Sequence, residues 1–447
     1  MATVRYLGTA EDTPDVYTIT IANTWASTDA VTVTIGGDAS LVVTLGTTAT
    51  TTHVAEALSK AFNAKSRSDN LSTAADESRN TGGQVIPQFT ELTASYSGSV
   101  VTLVGPNGIP CTVAVAESTA GTGTATLATV QSATGRWHWN NGDNWSGGSA
   151  PANGDDVWFD AGAVDCRYGL PNGSLQPNSI HGTMDYTGKI GLPSVNRQNP
   201  NAVYREYRQR YVTLDDDATD SFVTIEWGLT GTGQGSPMAN FDWSGNTTVT
   251  IDVKGTGKPI DGVSGHALNI KGNAFAMVPR IDRGHVALAP DPGDTTVITN
   301  TTIGYVNNAT SDARVFYGPD ATISGSVYAY GGYFESECAF SSADIYMYAG
   351  VGKVRPYSTE ITSLNVYSPA VCDIVGTGTI GTLNLSGTLN NRGGSAVFTN
   401  TAVTSGAKIV DPIGSFQFTN GIDFTQCGTQ QTDIEWGKHF TLTKSAI

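Results

Sequence analysis

Charge, cysteine and long apolar runs are all scarce in this sequence, and each shortage removes a class of function. Only 14% of the 447 residues are charged, and 24 basic side chains face 40 acidic ones, a net charge of −16. Binding nucleic acid by counterion release needs clustered Lys and Arg, so that partner is excluded. No stretch approaches the ~18 consecutive apolar residues of a membrane span, which excludes a helical membrane protein. The five cysteines, Cys111, Cys166, Cys338, Cys372 and Cys427, are far apart and form no CxxC pair. That spacing writes neither a zinc ribbon nor a redox motif, and the thiols read as small buried hydrophobes. Cys338 and Cys372 are the one pair that could come close, on adjacent coils. The start, Met1-Ala-Thr-Val-Arg-Tyr, lacks a charged region followed by an apolar stretch, so the expectation is folding in the cytosol of the cell that makes it.

Small and hydroxylic residues fill the gap. There are 52 glycines and about 60 threonines, and the 39% of hydrophobic residues come as short alternating runs. This is the composition of a mainly β protein. Residues 1–132 read as a small α+β domain. Val16 to Ile21, Val31 to Ile35 and Leu41 to Leu45 alternate and suggest a three-stranded meander. Thr51 or Thr52 caps a helix from His53 to about Ala64, with Val54, Leu58, Ala61 and Phe62 on one face. Lys65 to Gly83 reads as a loop, strands resume between Phe89 and Val115, and a closing strand is expected at Thr126 to Val130.

Residues 133–220 form a Trp-rich cap and connecting region. Trp137, Trp139, Trp145 and Trp158 fall among Gly and Asn turns and suit a cap over the open end of a strand stack, with the alternating pairs Trp137/Trp139 and Val157/Phe159 facing inward. A carbohydrate platform is the competing reading of the same aromatics. Residues 221–420 carry a weak repeat. Val327-Tyr-Ala329, Ile345-Tyr-Met347, Leu364-Asn-Val366 and Leu383-Asn-Leu385 follow one another at steps of 18, 19 and 19 residues, and the series continues at Ala402-Val403. A period of this length predicts a β-solenoid (β-helix) whose coils each give two or three short strands. Residues 421–447 look too irregular to extend the repeat and are expected to cap it.

The search for chemistry returns little. Gly262-Val-Ser264-Gly265-His266 is one residue short of a nucleophile elbow. Gly255-Thr-Gly257-Lys258-Pro259 has proline where a phosphate loop needs Ser or Thr, and Gly231-Thr-Gly233-Gln-Gly235 has the wrong spacing for a dinucleotide fingerprint; both read as turns. The six histidines show no metal-ligand spacing, so no cofactor is expected. Asp215, Asp217 and Asp220 could hold calcium but lack the turn glycine and the distal glutamate of a calcium loop. Glycoside cleavage needs two carboxylates about 5 to 9 Å apart. Glu335 and Glu337, at i and i+2, are the weak catalytic pair; Asp344 and Asp373 are expected on neighbouring coils. Tyr204, Arg205, Tyr207, Arg208 and Arg210 form the one basic, aromatic segment of an acidic chain. It either contacts an acidic partner or sugar, or pairs with local carboxylates.

The stretch Thr50-Thr-Thr-His-Val-Ala-Glu-Ala-Leu-Ser-Lys-Ala-Phe-Asn63 with Ile86 to Gly105 resembles small domains of tailed-phage virion proteins. Asn144-Trp-Ser146 through Pro151 to Asp156-Val157 and Phe159 is similar to the start of β-solenoid regions in bacterial surface and phage fibre proteins. These resemblances imply a non-enzymatic virion component, a capsid decoration, head fibre or tail fibre, that associates with itself as a homotrimer and with the major capsid or another virion protein. The alternatives are a tailspike that binds or degrades host surface polysaccharide, and a bacterial adhesin.

Overall fold

The computed structural model describes residues 2–37, 39–46, 48–63, 78–80, 89, 91–118, 120–173, 175–193, 206–214, 223–243, 248–259, 266–272, 276–304, 311–356, 361–427 and 433–436. The repeat seen in the sequence is the repeat of the fold. Val327, Ile345, Leu364, Leu383 and Thr401 stand opposite one another on successive parallel strands, followed in register by Tyr328, Tyr346, Asn365, Asn384 and Ala402. Each triplet is one rung of a β-solenoid. One face is a parallel sheet that runs rung by rung from Thr3–Arg5 to Gln417–Phe418, and the second runs from Val212–Leu214 to Asp433–Trp436. In the middle coils Val297–Ile298, Thr322–Ile323 and Ala339–Phe340 add a short third strip.

Alternation explains the burial. Within a rung every second side chain points inward, so Val157, Ile180, Ile225 and Ile251 form one column and Ile281, Ile303, Ala329, Met347 and Val366 another. These residues are almost wholly buried. Parallel in-register stacking brings like side chains about 4.8 Å apart, so one unbroken apolar core runs the length of the stack.

The stack is longer than the period alone showed. Asp156–Phe159, Ser179–Thr183 and Val212–Leu214, in the expected connecting region, already form rungs. At the other end Asp433–Trp436 pairs in parallel with Lys408–Asp411, so the tail continues the second face instead of only capping it.

The α+β unit is not a separate N-terminal domain. Thr3–Arg5 pairs in parallel with Asp156–Phe159 and forms the first rung of the solenoid. The domain is inserted between these two strands, and its two linkers run side by side. Tyr6 bridges to Trp145 and Thr13 to Thr134, and the Leu7 amide donates to the Asn144 carbonyl at 2.7 Å.

Inside the insert the expected meander is divided between two sheets. Pro14–Ala22 lies between Val100–Asn107 and Thr124–Gln131, while Ala30–Ile35 lies between Ala39–Thr44 and Val113–Ser118. Trp25, fully buried after the first strand, marks the corner where the chain leaves one sheet for the other. Within the expected loop Lys65–Gly83, Ser78–Asn80 pairs with Ala39–Thr44; residues 65–77 and 81–83 lie outside the described residues. The helix is Thr51–Asn63, and its cap is Thr50, whose Oγ1 accepts from the His53 amide at 3.3 Å. Val54, Leu58, Ala61 and Phe62 are buried as expected.

The aromatic cluster caps the first rungs. Trp139 and Trp145 are buried, with their rings 4.9 Å apart, and they pack edge-on or tilted against Tyr6 and Phe159. Trp145 Nε1 donates to the Trp139 carbonyl at 2.7 Å, so the indole's polar edge is satisfied inside the core. Asn144, also fully buried, accepts from the Ala10 amide and donates to the carbonyls of Gly135 and His138. One side chain thus ties the entering linker to the leaving one.

Candidate functional site

The basic, aromatic segment is drawn inward. Tyr204 and Arg205 lie outside the described residues. Arg208 has only 8% of its side chain exposed; it pairs with Glu91 of the insert and, at 3.0 Å, with Glu206. Its Nε donates to the Pro110 carbonyl at 2.5 Å, and its guanidinium lies 4.5 Å from the centre of the Tyr207 ring. Tyr207 packs against the hairpin turn of the insert at Gly36, and its hydroxyl donates to Glu91 at 3.2 Å. Burial pushes the Tyr207 hydroxyl far above the usual phenol range. Arg210 lies 3.8 Å from Asp291, and Tyr211 donates to the same carboxylate at 2.7 Å. The described part of this segment is therefore a clamp between insert and solenoid. The sequence could not name Glu91 or Gly36 as its targets, because they lie more than 100 residues away.

Glu335 and Glu337 both stand on the outer side of the second face, as the i, i+2 spacing requires. Each meets a cation from the next coil. Lys353 pairs with Glu335, whose other oxygen accepts from the Tyr333 hydroxyl at 3.1 Å, and Arg355 lies 3.5 Å from Glu337. Asp373, one rung further on, accepts from Asn390 at 2.8 Å and faces Arg392 at 3.5 Å. Asp344 lies on the other sheet, where it accepts from Ser363 at 2.6 Å. Glycoside cleavage needs two carboxylates free to face a sugar across one groove, and here Glu335 and Glu337 are each occupied by a cation of the next coil. The arrangement is a ladder of charge pairs between coils.

Asp215, Asp217, Asp220 and Ser264 lie outside the described residues. Among the described residues no cluster of three or more His, Cys, Asp or Glu is placed to hold a metal ion. The two glycine-rich segments are turns. Gly257 donates to the Ser236 carbonyl, and the amides of Thr232 and Gly233 hold the chain's own Asp185 at 3.0 and 2.9 Å. The five cysteines are free and buried, so Cys338 and Cys372 form no disulfide.

One constellation escaped the sequence reading because its members come from separate rungs. A depression of about 440 Å³ on the outer side of the first face is lined by Arg5, Asp156, Trp158, Ser179, His181 and Glu226, among others. Ser179 Oγ lies 2.7 Å from His181 Nε2, and His181 Nδ1 lies 2.9 Å from Glu226. These are the distances of a hydrolase triad. Two features break the analogy. Ser179 Oγ is also 2.5 Å from Asp156, whose carboxyl is held below its usual range by hydrogen bonds from Asn178 and Ser179, so the hydroxyl proton goes to the carboxylate and not to the imidazole. His181 Nδ1 makes no aligned hydrogen bond to Glu226, so the carboxylate does not orient the ring as a triad acid would. Trp158 offers no platform for a sugar either. His181 stacks on one side at 4.2 Å, and the Arg5 guanidinium lies over the ring at 5.3 Å.

The outer surface is thus laid out as ladders that spend their polar groups on neighbouring rungs. The chain matches no protein-family model, no curated protein and no solved structure.

Proposed function

We propose that the protein is a non-enzymatic structural component of a phage virion, an oligomeric decoration or head fibre of the capsid that the inserted α+β domain anchors and the solenoid body projects from. The observation that carries a mechanical role is the join between the two parts. Two paired linkers, the buried Asn144 and the Arg208–Glu91 clamp hold the insert to the first coils at several points, which suits a part that transmits force to the rod. On the second face Glu335, Glu337 and Asp373 are spent on cations or amides of neighbouring coils, as expected of a surface built for rigidity. The insert also offers a surface for a partner: Tyr96 and Val130 are exposed, 41% and 64%, on the two edge strands of one of its sheets. Edge strands that expose apolar side chains accept an added strand. The virion context itself draws on the resemblance of the stretches Thr50 to Asn63 and Ile86 to Gly105 to small domains of tailed-phage virion proteins.

A polysaccharide-cleaving tailspike fits less well, because Glu335 and Glu337 are both paired with cations. The test is quantitative mass spectrometry of purified particles of the phage that encodes the chain. A structural component is present at a fixed copy number, tens or more per particle and constant between preparations. Its absence from washed particles overturns the reading.

A further inference from the structure

The outer side of the first face changes character halfway along. Its early rungs carry Arg5, Asp160, Asp252, Lys254 and Arg280, held in ion pairs with one another or with neighbouring groups, and Glu226 beside His181. From Thr301–Ile303 to Val397–Val403 the described outward side chains on the same face are mostly Tyr, Asn, Ser and Thr, with Val397 and Ala402 on the last rung and Asp344 as the one charge, to which Ser363 donates. Five tyrosines form two ladders there. Tyr328 stacks on Tyr346, and Tyr330, Tyr348 and Tyr367 stack in a row, with ring centres 4.9 to 5.2 Å apart and planes within 9° of parallel. Beside them Asn384 donates to Asn365 at 2.8 Å, so the amides are ordered in the same way. Burial by their neighbours pushes the Tyr346 and Tyr348 hydroxyls above their usual range.

We propose that this tyrosine and asparagine face, with its single carboxylate, is the surface through which copies of the chain associate side by side, turned toward a common symmetry axis. The inference rests on the oligomeric part of the function proposed above and supplies its interface. Two arguments select a second copy as the occupant. Each chain carries a net charge of −16, so copies repel one another least across a face such as this one, whose described outward side chains include a single charge. A glycan needs the flat side of an aromatic ring, and these rings cover each other's flat sides and present edges and hydroxyls. Pre-ordered Tyr, Asn and Ser at low entropy cost are typical of protein contact surfaces. Tyr348 and Tyr367, 38% and 37% exposed, lie at its centre.

The test uses the full chain in light scattering coupled to size exclusion. Wild-type protein is expected at an integer multiple of 46.7 kDa, and Tyr348→Glu/Tyr367→Glu at the monomer mass with an unchanged circular dichroism spectrum. A second variant, Tyr348→Cys, keeps the fold; because the native thiols are buried, a short bismaleimide should join copies through that position alone. An oligomeric wild type whose Glu variant stays oligomeric and whose Cys variant does not crosslink overturns the face and leaves the oligomeric reading standing. A monomeric wild type across the concentration range overturns both, while the copy number in particles still tests the virion role.

Discussion

The guanidinium of Arg208 pairs with the carboxylate of Glu91, joining the solenoid side of the chain to the inserted domain across 117 residues of sequence. Arg208 has 8% and Glu91 18% of its side chain exposed, so the pair is mostly withdrawn from water. Removing one partner of such a pair costs about 3 to 5 kcal/mol because the other charge is left unpaired. Arg208→Met is expected to lower the melting temperature and to expose the linkers around Thr13 and Thr134 to protease. Adding Glu91→Gln should recover part of the loss. Differential scanning calorimetry with limited proteolysis measures both, and a single variant with wild-type melting and cleavage would contradict the clamp.

Gly36 offers an independent probe of the same contact. Its φ is +65°, and a Cβ there would stand 2.2 Å from the Tyr207 ring. Gly36→Ala is therefore expected to cost more than the ~1 kcal/mol of backbone strain alone. Gly37, also left-handed but with open space around it, is the control, and Gly37→Ala should show the strain only. Chemical denaturation of the two variants should separate them, and equal losses would argue against Tyr207 filling that notch.

Lys271 lies 3.9 Å from Asp242 and 3.5 Å from Asp294. Burial pushes both carboxyls above their ordinary range, and the Lys271 ammonium brings each partly back. A carboxyl raised on folding binds its proton more tightly in the native state, so its contribution to stability rises as pH falls through the folded pKa toward the unfolded one. Ionised at neutral pH, it works against the fold. Asp242→Asn is expected to be neutral or stabilising at pH 7, by on the order of 1 kcal/mol, and its advantage over wild type should shrink on acidification. Melting temperatures of both proteins between pH 4 and pH 8 check this; an advantage that grows on acidification would contradict it.

The thiols should be silent in the native protein. Burial pushes Cys111 up to about 11 and Cys338 up to about 12, and the thiolate is the reactive form. Ellman's reagent is expected to find no accessible thiol in the folded chain and five after denaturation. Fewer than five after denaturation without reductant would mean that a disulfide forms.

Much of the fold was legible because the solenoid writes its geometry into local order. The triplets beginning at Val327, Ile345, Leu364 and Leu383 stack in the register that their spacing implied, and Trp139 and Trp145 cap the core that their turns suggested. The insertion was not legible. Thr3–Arg5 is three residues long, too short to show a period, and its partner strand lies 153 positions later. The strand Pro14–Ala22 alternates equally well in a meander or in a separate sheet, since alternation fixes a strand's faces and not its neighbours. The roles of Tyr207 and Arg208 depended on targets distant in sequence, and Ser179, His181 and Glu226 meet because three rungs bring them to one side.

The core makes a further demand. Leu364 is fully buried between Ile345 and Leu383, so Leu364→Ala should cost about 2 to 5 kcal/mol. Asn384, on the outer side of the neighbouring rung, is exposed, and Asn384→Ala should cost about 1 kcal/mol or less. Thermal melts that rank the two the other way round would contradict the assignment of inner and outer positions.

The most direct test of the central proposal, that the insert anchors a structural rod to a virion, is cosedimentation of the chain with emptied heads of a tailed phage whose genome carries its sequence. Wild-type protein should pellet with heads to saturation and not with host cells. Val130→Arg, on the insert's exposed edge strand, should reduce head binding at least tenfold with unchanged melting. Binding to cells in place of heads, or head binding that Val130→Arg and Tyr96→Asp together leave intact, would contradict the account.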